Sequence, residues 1–279
     1  MAFDSVFEDK QIHYTYDGSF EGLLCVIHKA VYSRTIPANI TSEKGLQLSL
    51  NLLYVHVPTE KEKALKVLEA MKKYAGNFGS KRLYYVFLSD APNKDMIIYK
   101  YLMLAFKNGT KINNALSQLT VCEAFKICEN VSRETEKFRQ FTRFCVMEGG
   151  VQYARITPKN EILPILMPFF VNRLRIIPFV IHDLTHDLCA IYDTNKWYIT
   201  TSEGISPPDF SLGEKAVQKQ WKTFFNAISI KERINTELQA RDFCPRLVHR
   251  DTFYQADILP TGCLDQLLPS INARQNSHH

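Results

Sequence analysis

Residues 141–156 read FTRFCVMEGGVQYARI, and the hydrophobic period changes from helical to alternating in this stretch. Apolar and polar residues alternate on both sides of Gly149 and Gly150. Alternation with a period of two is typical of half-buried strands, and a glycine pair between two such runs favours a tight turn. The stretch therefore predicts a β-hairpin that opens a sheet.

Elements on both sides of this hairpin follow from the same patterns. A long helix is expected from about Val121 to Gln140, and a second helix is expected from Pro158 to about Leu174, with the proline in its first turn. Short apolar runs at 179–182, 188–192 and 197–201 predict three more strands. A further helix is predicted over 213–228.

The N-terminal half has mainly helical periodicity. Phe20, Leu23, Leu24 and Ile27 lie at helical spacing after a short alternating strand at 12–16. A strand is expected within 46–57, and Thr59 is expected to cap a helix that ends before Gly76. Helical pieces are predicted at 81–88, 96–106 and 113–116.

These patterns predict an α+β fold, in which a helical N-terminal half packs with an antiparallel sheet that carries inserted helices. The expected organisation is a mainly helical subdomain at 1–130, an α+β subdomain at 131–245 and an irregular C-terminal tail at 246–279. Charged residues make up 23% of the 279 residues and hydrophobic residues 46%, which is typical of globular proteins.

A cytoplasmic location without membrane contact is expected. The most apolar run, residues 162–171, contains two prolines and is shorter than the roughly 18 residues of a membrane span. The first residues lack a basic start that leads into an apolar run, so no secretory signal is predicted.

Neither a cofactor nor a metal is predicted. The seven cysteines are scattered singly and form no C-x-x-C pair, so no local zinc or iron–sulfur motif is present. P-loop, G-x-G-x-x-G, G-x-S-x-G and H-E-x-x-H motifs are also missing, which excludes the enzyme classes that depend on them.

Positive charge is concentrated in two blocks. Residues 133–175 contain eight lysines and arginines against four acidic residues, and the same numbers recur in residues 214–250. The segment 176–213 between them has one lysine and five acids. Two basic blocks are consistent with a surface that faces a polyanion, or with ordinary solvated faces.

The densest polar cluster is the segment Ile181-His182-Asp183-Leu184-Thr185-His186-Asp187. His182 could act as a general acid or base, with Asp183 as its orienter and Glu134 as a second carboxylate. A turn at 183–185 would break the shared face that one strand would give to His182 and His186. The alternative is a structural role in a hairpin.

Two clusters combine cations with aromatic residues, an arrangement that can bind the nucleic-acid backbone and stack bases. The first occupies residues 133–144, and the second occupies residues 221–235. An internal Arg–Glu pair and a packed apolar core are the alternative interpretations. The cations predicted to contact nucleic acid are Arg133, Lys137, Arg139, Arg143, Lys222, Lys231 and Arg233.

Four pieces of the chain together resemble a bacterial family of probable DNA-metabolism or repair proteins. In order they are Tyr16-Asp17-Gly18-Ser19-Phe20-Glu21-Gly22-Leu23-Leu24, then Glu134, Lys137, Phe138, Phe141, Arg143 and Phe144, then Ile181-His182-Asp183, and finally Trp221, Phe224, Ile228, Ile230 to Arg233 and Asn235. Family members are typically encoded beside a radical-SAM protein, and some are fused to a uracil-DNA-glycosylase-like domain. The resemblance covers roughly residues 12–245. This chain has Glu136 where the family usually shows a histidine.

The resemblance implies a DNA-related role and a radical-SAM protein as partner, in which the iron–sulfur cluster and S-adenosylmethionine would reside. The leading hypothesis is an accessory protein that binds DNA or a partner–DNA complex through the seven cations. One alternative is an enzyme that acts on a nucleic-acid base or phosphodiester through His182, Asp183 and Glu134. The other is a scaffold for the radical-SAM protein that does not bind DNA.

Overall fold

The structure is a computed structural model, and it describes residues 11–43, 52–202, 211–217 and 219–220. The chain divides into two compact units, Met1–Ser132 and Arg133–His279. The predicted tail at 246–279 and the second aromatic–basic cluster lie outside the described residues. No helix in the described ranges is long and apolar enough to cross a membrane.

The first unit is built on a three-stranded parallel sheet in the order β2-β1-β3, with β1 in the centre. Its elements are β1 (Gln11–Tyr16), α1 (Phe20–Tyr32), β2 (Asn39–Ser42), β3 (Leu52–His56), α2 (Lys61–Phe87), α3 (Lys94–Asn108), a 3-10 helix (Gly109–Asn114) and α4 (Leu119–Phe141), which continues into the second unit. Helices α1, α2 and α3 pack around buried Tyr14, Leu23, Ile27 and Leu102.

Helix α1 begins where the sequence predicted. Ser19 is its N-cap, and the Ser19 hydroxyl accepts a hydrogen bond from the Gly22 amide at 2.9 Å. The expected cap at Thr59 is wrong, because the Thr59 hydroxyl donates to Asp17 at 2.8 Å and Glu60 stands at the cap of α2 without a side-chain bond. The loop before α1 is thereby tied to the loop before α2.

Helix α2 does not end at Gly76. Gly76 has φ +70° and ψ 178°, so the chain kinks there and the helix resumes to Phe87. A glycine takes this backbone conformation without steric cost. Two carbonyls at the kink are satisfied by side chains, since Ser80 donates to Gly76 at 2.7 Å and Asn113 donates to Ala75 at 2.8 Å.

The second unit holds a five-stranded sheet in the order β4-β5-β6-β7-β8. Its elements after the end of α4 are β4 (Cys145–Val146), β5 (Gln152–Ile156), α5 (Leu163–Leu174), β6 (Phe179–Asp183), β7 (Leu188–Tyr192) and β8 (Trp197–Thr201). One sheet face is packed with buried Phe179, Ile181 and Ala190. Helix α5 contacts strands β7 and β8.

The α+β fold class is confirmed, and the predicted hairpin is present as the antiparallel pair β4–β5. Strands β5 and β6 pair parallel, whereas the neighbouring pairs β6–β7 and β7–β8 are antiparallel. The parallel pairing arises because the chain between β5 and β6 crosses back through α5. Helix α5 begins at Leu163, so the expected start at Pro158 is wrong.

Candidate nucleic-acid interface

A pocket of about 390 Å³ lies in the second unit, where the end of α4, the approach to β4, the start of β5 and the end of α5 converge. Its polar lining includes Gln140, Arg143, Gln152 and Arg173. Its apolar lining consists of Leu174 and three phenylalanine rings, Phe141, Phe144 and Phe170. Guanidinium groups beside aromatic rings are chemically suited to bind an anion that carries a planar group.

The rings of the pocket are held at different depths. The Phe144 ring packs edge-on against Phe170 with centroids 5.2 Å apart and against Phe179 at 5.5 Å. Phe141, the last residue of α4, is 43% exposed. The pocket thus combines a packed aromatic floor with an exposed ring at its rim.

The two arginines reach the pocket from different elements. Arg143 lies in the extended segment between α4 and β4, and Arg173 lies in the last turn of α5. Both residues are exposed. Within the described part of the chain, no acidic side chain forms an ion pair with Arg173.

Arg143 also influences a buried thiol at the start of the sheet. Burial and the nearby Glu214 carboxylate together raise the pKa of Cys145 to about 11, although Arg143 and Arg155 oppose the rise. Glu214 also accepts a hydrogen bond from the Val146 amide at 3.2 Å. Cys145 is therefore a protonated thiol near neutral pH and a poor nucleophile.

Three other predicted cations lie on α4. Arg133 and Lys137 are exposed and one helical turn apart, and Phe141 follows after another turn. Arg139 is half-buried: its guanidinium donates to the Ile165 carbonyl at 3.4 Å and lies 5.5 Å from the centre of the Phe169 ring. Lys222, Lys231 and Arg233 lie outside the described residues.

Glu134 lies away from the pocket and holds a loop. Its carboxylate accepts hydrogen bonds from the Lys159 amide at 2.7 Å, from the Asn160 amide at 3.0 Å and from the Asn160 side chain. These bonds fix the backbone at 159–160 in the segment that precedes α5, where the sequence had predicted helix.

Asp183 is fully buried at the end of β6, and its partners lie in the following turn. It accepts hydrogen bonds from the amides of Thr185 at 2.9 Å and His186 at 3.2 Å. Its Oδ2 lies 2.7 Å from Nδ1 of His186. Burial lowers the pKa of His186, but the hydrogen bond to Asp183 and the charges of Asp183, Glu161 and Glu134 raise it above its ordinary value.

His182 has a different partner. Its Nδ1 lies 2.7 Å from the Tyr153 hydroxyl, and His182 is 8% exposed. Adjacent residues on a strand point to opposite faces of a sheet, so His182 and Asp183 project to different sides. The Asp183 hydrogen bond and the Glu134 charge thus act on His186, whereas His182 contacts the Tyr153 hydroxyl.

The arginine pocket and the Asp183 cluster lie at opposite ends of the paired strands β5 and β6. Gln152 lines the pocket at the start of β5, whereas Ile156 at the end of β5 pairs with Asp183. Four residue steps along a strand separate the two ends by roughly 13 Å. Arg143 and the three predicted catalytic residues are thus not gathered in one cleft.

Arg173 is a charged pocket residue that sequence reasoning did not single out. It belongs to the basic block 133–175, which the charge count identified, and it follows Phe169 and Phe170 at helical spacing, which is a signal that could have found it. Within the described ranges, no group of three or more His, Cys, Asp or Glu residues is arranged to hold a metal ion.

Comparison with known proteins shows a family and a similarity to a solved structure. The profile of a family described as "Domain of unknown function (DUF4130)" matches residues 92–250, which is more than half of the chain. No curated protein matches the chain. The chain is similar to a solved structure of the pGpG-specific phosphodiesterase PggH from Vibrio cholerae, at 10% identity and a TM-score of 0.30, over 65% of this chain and 80% of that chain.

Proposed function

This chain belongs to the DUF4130 family of unknown function, and we propose that it is an accessory protein of DNA metabolism that binds DNA through the arginine pocket. The observation that carries this proposal is the placement of Arg143 and Arg173 on two different elements beside one concave, ring-lined surface. Guanidinium groups bind phosphate through two parallel hydrogen bonds, which makes arginine a favoured residue for nucleic-acid backbones.

A stripe on α4 extends this surface. Arg133, Lys137 and Phe141 lie four residues apart in succession, so they share one face of the helix and span roughly 12 Å. Phosphates on one strand of duplex DNA are spaced about 3.4 Å along the helix axis. Arg133, Lys137, Arg143 and Arg173 would together neutralise several phosphates and give binding a marked dependence on salt.

The test is a fluorescence-anisotropy titration of labelled duplex and single-stranded DNA at several salt concentrations. Arg143→Gln and Arg173→Gln should each weaken binding by roughly tenfold, because each removes a charged phosphate contact. The double variant should make the slope of log affinity against log salt shallower by about 2.

Arg175→Gln is the matched control. Arg175 carries the same charge two residues further along, is exposed, and does not line the pocket. Equal losses in the Arg175 variant and the double variant would overturn the assignment of the pocket. An absence of binding at low salt would overturn DNA binding altogether and would favour a scaffold for the radical-SAM protein, to be sought by co-purification.

A catalytic role is a second candidate, favoured by the Asp183–His186 hydrogen bond. A buried carboxylate that bonds Nδ1 of a partly exposed histidine fixes the tautomer of the imidazole and stabilises its protonated form. In this version His186 replaces His182 as the general acid or base on a nucleic-acid substrate. Incubation with uracil-containing and intact oligonucleotides tests it, and turnover that survives in His186→Asn would exclude it.

A further inference from the structure

The arginine pocket has features that phosphate binding does not require. Phosphates are commonly bound on open surfaces by cations and polar side chains, yet this pocket is concave and contains three aromatic rings. We propose that the pocket receives one unpaired nucleotide, so that the protein prefers single-stranded to duplex DNA. This inference rests on the proposed function and adds that the site selects single-stranded over duplex DNA.

The dimensions of the pocket support a single nucleotide. Its volume of about 390 Å³ is near the lower end of the roughly 300–1,000 Å³ that is usual for small-molecule sites. Bases in a duplex are stacked and paired, so they present only their edges to a protein. A ring enters a concave site only when the nucleotide is unpaired or flipped out of the duplex.

Phe141 provides the surface on which the base would stack. It is 43% exposed at the rim, and it ends the helix that carries Arg133 and Lys137. The floor beneath it does not need to rearrange, because Phe144 is already packed edge-on against Phe170 and Phe179. A preformed platform lowers the entropic cost of binding.

The amides and arginines complete the site around such a nucleotide. The Gln140 side chain donates to the Glu136 carboxylate at 3.2 Å, which leaves the Gln140 carbonyl oxygen to accept from a base edge. Gln152 also lines the pocket, at the start of β5. Arg143 and Arg173 hold the phosphate that is attached to the same nucleotide.

The experiment compares three 5′-labelled probes by fluorescence anisotropy: a single strand, the same strand with abasic positions in place of its bases, and the matching duplex. The abasic strand keeps the phosphates and removes the rings. The wild-type protein should bind the intact single strand about tenfold more tightly than either of the other two probes.

Phe141→Leu should lower affinity for the intact single strand to the level of the abasic strand. Phe141→Trp should restore the preference, because it returns an aromatic face. Phe78→Leu is the control, since Phe78 is 64% exposed and does not line the pocket.

Failure of this inference is distinguishable from failure of the proposed function. Equal affinity of the wild-type protein for intact and abasic strands would overturn the nucleotide pocket, and so would a Phe141→Leu variant that keeps the full preference. In either case, if the Arg143→Gln, Arg173→Gln double variant loses affinity for duplex DNA, the proposal that the pocket binds DNA would still be supported. A thermal melt of each Phe141 variant shows whether it is folded.

Discussion

The Asp183 carboxylate and the His186 imidazole are joined within the turn between β6 and β7, with 2.7 Å between Oδ2 and Nδ1. Asp183 is fully buried, and the His186 side chain is 24% exposed. Glu134 and Glu161 add negative charge around the same imidazole. The pair therefore stabilises the protonated form of His186, although burial opposes it.

This pair should make the stability of the protein depend on pH. The pKa of His186 is higher in the folded than in the unfolded protein, so its stabilising effect is complete below about 6.5, the ordinary histidine pKa. The effect is lost as the pH rises through the raised pKa. We expect the free energy of unfolding, measured with urea, to fall across this range.

Two variants isolate the contribution of His186. His186→Gln should abolish the fall in unfolding free energy, and Asp183→Asn should reduce it because the amide cannot attract the imidazolium as a carboxylate does. The comparison is made on the difference between each variant and the wild-type protein at each pH. A His186→Gln protein with the wild-type pH profile would contradict this assignment.

Glu134 is expected to act mainly on stability. Its carboxylate receives three N–H groups from Lys159 and Asn160, and charge-assisted bonds of this kind are stronger than neutral ones. Glu134→Gln should destabilise the protein by roughly 2 kcal/mol. The glutamine amide is neutral and has only one acceptor oxygen, so its NH2 group would face an N–H donor that the carboxylate had accepted from. Urea unfolding at pH 7 measures the loss.

Glu136→Gln gives the matched comparison for Glu134. Glu136 lies half a turn away on α4, is exposed, and contacts Arg139 at 3.5 Å. Exposed pairs of this kind contribute at most about 1 kcal/mol, so the change should be small. Equal losses in the two variants would show that the loop does not depend on Glu134.

Sequence periodicity predicted much of the second unit for a physical reason. Short apolar runs bounded by turn residues favour strands, and strands β6, β7 and β8 begin where such runs predicted them. Alternation fixes which face a residue occupies but not the direction of pairing. The parallel pairing of β5 with β6 depends on the path through α5, so it could not be read from the strands themselves.

Sequence patterns predicted only those residues of the candidate site that lie together in one segment of the chain. Arg143 stood out because a charged residue interrupts an alternating apolar run. Arg173 reaches the same pocket from α5, thirty residues away, and only the tertiary structure brings the two together. The turn after Asp183 likewise decides that this carboxylate bonds to His186, and a local pattern does not fix the geometry of that turn.

Asp95 should cost stability at neutral pH. It lies in the first turn of α3, is 7% exposed, and its Oδ1 is among the buried atoms that have no hydrogen-bond partner in the described structure. Burial raises the pKa of Asp95 to about 6, although the Lys94 charge and the Tyr16 hydrogen bond lower it. Because the folded pKa is raised, ionisation destabilises the fold by about 3 kcal/mol as the pH rises from roughly 4 to 6.

Asp95→Asn should therefore increase the unfolding free energy at pH 7.5 by about 1 to 2 kcal/mol, once the cost of burying the amide is subtracted. At pH 4 the variant should have no advantage, since the wild-type carboxyl is then protonated in the fold. Asp90→Asn is the control, because Asp90 is exposed near the end of α2. An advantage that is the same at both pH values would contradict ionisation as the cause.

Tyr153 should stabilise the sheet through His182. Burial raises the pKa of Tyr153, although Arg155 opposes the rise, and the Tyr153 hydroxyl lies 2.7 Å from Nδ1 of His182. Tyr153→Phe keeps the ring and removes the hydroxyl, which leaves a buried ring nitrogen without this bond. Such a loss costs about 1 to 3 kcal/mol, measured as a shift in urea unfolding.

Tyr198→Phe on β8, where the side chain is 52% exposed, should change stability by less than about 0.5 kcal/mol. If Tyr153→Phe is as stable as the Tyr198 variant, the bond to His182 does not hold the sheet, and His182 returns as a candidate for chemistry.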